Sequence, residues 1–197
     1  MNAISEVDFQ KNINKIYQSV FASEDPYGSP FQPSIKPRQL LYWFRYGLLD
    51  TEPWLIPVTN AIKAIGEKGF YLTILERGGA EPYHWYVPLD EAHLYIDKIY
   101  PLCNAIYSVK GLWGIICSEQ DHAVVGGSEF FVDIIQKSIS DWDYRITLFL
   151  NTWKEYHEQN KDINIDWLPN FFMHIYGDKI PEVILNDPKL RYLLRIK

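Results

Sequence analysis

Long apolar runs are missing from this chain. None approaches the roughly 18 residues that a membrane-spanning helix needs. The first ten residues, MNAISEVDFQ, also lack the basic start and apolar stretch of a secretion signal. Cysteine is scarce: Cys103 and Cys117 are the only two, both in apolar surroundings. They read as small buried hydrophobes, and the protein reads as reduced and cytoplasmic. Positive charge is in deficit, with 19 Lys and Arg against 25 Asp and Glu, a net charge of −6. That balance argues against non-specific nucleic-acid binding and suits a basic protein partner. There is no GxGxxG, no P-loop and no HExxH. The five histidines, His84, His93, His122, His157 and His174, include no pair at i, i+4. No metal and no cofactor is therefore expected.

What the chain does have is aromatic rings. Seven Trp, fourteen Tyr and ten Phe make up 16% of it. A core built of large side chains accounts for most of that, while exposed Tyr and Trp would be the material of a binding surface. The most ordered stretch runs from Leu112 to Phe131, LWGIICSEQDHAVVGGSEFF. Leu112–Cys117 is an apolar, β-branched run, Ser118–Asp121 is a polar turn, and His122–Val125 resumes the apolar run, which together read as a hairpin. Gly126-Gly127 follows. Ser128 then stands as N-cap with Glu129 in the first turn, and Phe131, Ile134, Ile135 and Ile139 recur at helical spacing.

The rest of the chain falls in order around this unit. Ser5–Phe21 has a capping-box-like start and an apolar stripe of Phe9, Ile13, Ile16, Tyr17 and Val20, which predicts a helix. Residues 23–37 hold Pro26, Pro30, Pro33 and Pro37 and form a linker. Leu40, Leu41, Phe44 and Leu48 predict a second helix from Pro37 to Leu48, and a third runs from Val58 to Glu67. Phe70–Leu75 and Tyr83–Val87 read as a strand pair. Pro88 opens a helix that stops near Pro101, and Asn104–Val109 reads as a further strand. Helices follow over 141–159, ended by a loop, over 166–176, ended by Gly177, and more weakly over 181–197. The fold class is α+β: a mainly antiparallel sheet of about five strands (residues 70–125) flanked by N-terminal and C-terminal helices. A single domain over 1–197 is expected, in which residues 1–68 are helical, residues 69–140 centre on the sheet and residues 141–197 are helical again.

Three groupings could carry chemistry. Cys117 and His122, with Glu119 and Asp121, hold the residue types of a nucleophile, its base and an orienting carboxylate. Neighbouring hairpin positions point to opposite faces, however, and an apolar setting makes a thiol inert. Gly126, Gly127 and Ser128 at a helix start could seat an anion on free N–H groups, although a tight turn and an N-cap explain them as well. Between Glu119 and Asp143 the chain carries six acidic residues (Glu119, Asp121, Glu129, Asp133, Asp141, Asp143) and one basic residue, Lys137. This is the strongest charge asymmetry in the chain, and it marks a contact surface for a basic partner. Trp113, Glu119, Asp121, His122 and Glu129 are the residues expected to make that contact.

The passage Trp113–Ser118, then Asp121–Ser128, with Phe131 in the next helix, resembles a pattern found in bacterial cytoplasmic proteins, among them small immunity proteins of toxin systems. The resemblance covers about residues 112–131. It implies a non-catalytic protein that neutralises a partner by binding it, and it transfers no catalytic residue. The rival readings are a small enzyme with Cys117 or His122 near the hairpin, and a small-ligand module with its anion seat at Gly126–Ser128.

Overall fold

The computed structural model describes residues 1–42, 48–49, 53–99, 103–119 and 122–196. Strands run over Asn2–Ile4 (β1), Arg38–Tyr42 (β2), Gly69–Ile74 (β3), His84–Pro88 (β4), Asn104–Ser108 (β5), Gly114–Cys117 (β6) and His122–Gly126 (β7). They join in one sheet, in the order β1-β4-β3-β5-β6-β7-β2, and every neighbouring pair is antiparallel. The fold is α+β. The five strands read from residues 70–125 form the middle of the sheet, and both outer strands come from the first 42 residues.

The N-terminal region is therefore not purely helical. A helix begins at Ser5, whose side chain accepts the Asp8 N–H. It runs through α1 (Glu6–Asp8), a π-helical turn (Phe9–Ile13) and α2 (Asn14–Val20). Of the expected Pro37–Leu48 helix, Arg38–Tyr42 is the strand β2 and Leu48 lies in a turn; Phe44 lies outside the described residues. Leu40 and Leu41 are adjacent and both buried, one on each face of the sheet. A continuous apolar run of this kind suits a strand covered on both sides as well as it suits a buried helix, and pairing with β7 decides the matter.

Alternation along the strands assigns the two faces. Tyr107, Gly114, Gly126 and His122 face one way and meet α2, the 21–37 loop and α7 (Leu168–Tyr176). Tyr107 packs against Tyr17 and Phe21, and His122 packs against Phe171. Asn104 and Cys117 face the other way, toward Tyr95 of a 3-10 helix (Leu89–Tyr95) that continues into α4 (Ile96–Ile99). That 3-10 helix touches α3 (Leu55–Ala64), which packs on α5 (Glu129–Lys137), so these elements make the second outer layer. The helix expected from Val58 starts earlier, at Leu55, with Pro57 accommodated in its first turn.

α6 (Trp142–Gln159) packs on β2 at the sheet edge. The last helical segment is split in two, α8 (Glu182–Leu185) and α9 (Pro188–Leu193). Pro188 lacks the N–H a continuous helix needs, and Asp187 caps the new start by accepting the N–H groups of Lys189 and Leu190. No helix among the described residues is long and apolar enough to cross a membrane.

Candidate functional site

The β6–β7 hairpin carries most of the residues singled out by sequence, and it separates them. Gly114 pairs with Gly126 at one end and Cys117 with Ala123 at the other. Trp113, Gly126–Ser128 and Glu129 therefore gather at one end of the sheet. Glu119 and His122 lie at the opposite end, about 13 Å or more away at the rise of a strand. Asp121 lies outside the described residues.

At the first end the residues serve packing. Trp113 is fully buried, stacks on Phe131 at 4.8 Å and donates its indole N–H to Glu67 Oε2 at 3.1 Å, so it offers no face to a partner. A Cβ on Gly127 would stand 2.9 Å from Trp113 Cβ, and one on Gly126 would stand 2.9 Å from Ile35 Cγ2. Close approach is what these two glycines provide. Part of the expected anion seat is already engaged within the fold. The Gly127 N–H goes to the Pro37 carbonyl at 3.1 Å, and Ser128 Oγ accepts the Phe131 N–H at 3.3 Å. Glu129 is exposed beside Phe130. Two of the other acidic residues pair along their own helices, Asp133 with Lys137 and Asp141 with Arg145.

Cys117 and His122 do not form a nucleophile and its base. Cys117 shares a face with its partner Ala123, so the adjacent His122 points to the opposite face. Cys117 is 1% exposed, and burial pushes its thiol up to about 12, with the Tyr95 hydroxyl pulling modestly the other way. His122 is buried against Phe149 and Phe171, with Nδ1 2.8 Å from Ser118 Oγ.

The second end of the sheet assembles a polar cluster with an aromatic wall. Glu119 accepts the Tyr27 hydroxyl at 2.9 Å on one oxygen and the Cys103 thiol at 2.8 Å on the other. Glu76 approaches from the end of β3 and accepts the Cys103 N–H at 3.3 Å. Burial works to raise the Glu119 carboxyl. The hydrogen bonds from Cys103, from its own backbone and from Tyr27 outweigh that and hold it below the usual carboxylate range. Burial first, and then the two carboxylates, push the Cys103 thiol far above its ordinary value. Burial and the Glu119 charge do the same to Tyr27. Among the described residues, neither Glu76 nor Glu119 has a Lys or Arg within ion-pair distance.

Tyr27 continues into a half-buried triad of rings. It meets Trp167 at 5.1 Å and Trp153 at 6.2 Å, and the two indoles meet at 5.1 Å, all close to perpendicular. These residues come from the 21–37 loop, α6 and the turn before α7. Their separation along the chain hides them from sequence reading, and only the overall aromatic excess hints at them.

Two constellations look chemical. Donor atoms of Glu76, Cys103 and Glu119 lie within 4.8 Å of one another, close enough to share a metal ion, but both carboxylates are exposed and the thiol holds its proton. Elsewhere Glu6 Oε2 lies 3.1 Å from His84 Nε2, and His84 Nδ1 lies 3.0 Å from Thr73 Oγ1, the acid–histidine–hydroxyl order of a hydrolase. Thr73 is fully buried and His84 lies under the Phe9 ring at 3.6 Å, so no substrate reaches the hydroxyl. This chain of bonds docks the first helix on the sheet. Comparison with family models, with curated proteins and with solved structures returned no match.

Proposed function

We propose that the protein is a non-catalytic binding module that engages a basic protein partner at the Glu119 end of the sheet. Glu76 and Glu119 receive Lys or Arg side chains of the partner, while Tyr27, Trp153 and Trp167 form the apolar wall beside them. The observation that carries this reading is the pair of exposed carboxylates with no described cationic partner, set against half-buried rings. An exposed carboxylate next to aromatic faces suits a guanidinium, which can pair with the first and stack on the second. The resemblance of residues 112–131 to immunity proteins adds the role: neutralising a toxic partner in a bacterial cytoplasm by occupying it.

A second acidic area includes Glu129, at the opposite end of the sheet. Phe130 and Tyr144 are 59% and 63% exposed. Phe130 follows Glu129 on α5, and Tyr144 follows Asp143 at the start of α6, where both Asp143 and Tyr144 line an open groove of about 570 Å³.

The test compares wild type with Glu76→Gln/Glu119→Gln as tagged baits in lysate, washed at low and at high salt. One basic protein should be held by wild type at low salt and released at high salt. With that protein purified, the double variant should bind it about tenfold more weakly or worse. Equal affinity for both baits removes the sheet-end site, and no basic protein retained removes the binding reading.

A further inference from the structure

The geometry points to a second, separate binding site, for a small amphiphilic anion, in the groove between the C-terminal half of α6 and α9. The groove holds about 610 Å³, within the range of small-ligand pockets. Its apolar surface comes from Ile165, Leu193 and Ile196, each only partly buried, and from Tyr192, which is 87% exposed. A bare tyrosine ring at the rim of an apolar groove is a surface on which a flat molecule can lie.

Charge selects the sign of the ligand. The protein is acidic overall, yet Pro188–Lys197 holds four cations and no acid. Of the cations lining the groove, Lys154 is paired with Glu158 and Arg195 with Asp166. Lys161 and Lys189 line it too, and neither has a carboxylate within ion-pair distance among the described residues. Two exposed ammonium groups over an apolar floor are complementary to a carboxylate, sulfonate or phosphate carried on an apolar body. The site uses none of the residues proposed to meet the basic partner, and its charge is opposite to theirs.

The probe is 1-anilinonaphthalene-8-sulfonate, titrated by fluorescence into the full chain. Binding should saturate at one equivalent. Lys161→Glu/Lys189→Glu should weaken it about tenfold, whereas Lys11→Glu/Lys15→Glu, the same charge change on the exposed side of the N-terminal helix, should not. The thermal midpoint of each variant checks the fold, and Lys161→Gln/Lys189→Gln repeats the test with a smaller charge change. Equal loss in both pairs of variants, or none in the groove pair, overturns the site. Decanoate and decyl phosphate then compete with the probe: displacement by either one supports the site and names the headgroup, and displacement by neither overturns it.

Discussion

Single residues in this protein carry two kinds of burden, and sequence shows them unequally. Glycine is visible at Gly126-Gly127, but its reason is not. Gly114 and Gly126 pair across β6 and β7, and their missing side chains let Phe21 and Phe31 of the loop lie on the sheet. Trp113 and His122 have the residue types of a contact surface and are core. Only contacts from distant regions of the chain reveal that, as when Glu67 accepts from both Trp113 and Ser108. Histidine carries the clearest residue-scale prediction. Burial, helped by the charges of Arg38 and Lys36, holds His174 down to about 4, and burial depresses His84 as well, against the pull of Glu6. The unfolded chain, with histidine near 6.5, then binds more protons than the native one between those values. Stability conferred by the neutral histidines is complete above about pH 6.5 and falls as pH drops toward 4. Unfolding midpoints in urea across that window should decline with acid, and His174→Asn should decline less steeply. Equal slopes would show that His174 is not responsible.

At the scale of elements, sequence pattern decides where one period rules and fails where two fit. α5 is legible because a cap and a 3.6-residue apolar rhythm agree, as with Ser128 before Phe131, Val132 and Ile135; α6 is legible from its rhythm alone, since Asp141 makes no side-chain cap bond there. The middle strands are legible as short apolar runs between turn residues. Arg38–Tyr42 satisfies both patterns, and β1 is too short for any pattern: three residues, recruited by pairing Ala3 with Trp85. This small strand matters for what the sheet exposes. It covers β4, whose outer edge would otherwise present unpaired N–H and C=O groups across His84–Pro88. A chain lacking residues 1–4 should keep its helical content yet self-associate, through β4 edges meeting one another. Light scattering against concentration reads this directly, and a monomer at all concentrations would show that α1 alone shields the edge.

At the scale of the whole molecule, a sequence divided into helical, sheet and helical stretches hides how those stretches interlock. Residues 1–42 supply one outer strand at each side of the sheet. Between those strands they lay α2 and a proline-rich loop over one face. Arg38 closes this wrap. Its guanidinium donates to the carbonyls of Ile35, Gln32 and His174, tying the loop, β2 and α7 together. The candidate site depends on the same closure, because Tyr27 of the wrap meets Glu119 of the hairpin and the indoles of Trp153 and Trp167. Without the wrap, one sheet face, including Tyr107, Gly114 and Gly126, would lose the rings of Tyr17, Phe21 and Phe31 that cover it. At about 25 cal/mol per Å² of apolar surface, such exposure exceeds the margin by which a domain of this size is stable. Residues 43–197 alone should therefore not fold, and the full chain should unfold in one step. Tryptophan fluorescence and far-ultraviolet circular dichroism should give the same urea midpoint for the full chain. A fragment that melted cooperatively, or two separate midpoints, would mean that the central strands and C-terminal helices form a self-sufficient unit and that the wrap is an added layer. The candidate site would then be a feature that N-terminal docking switches on, instead of one fixed by the fold.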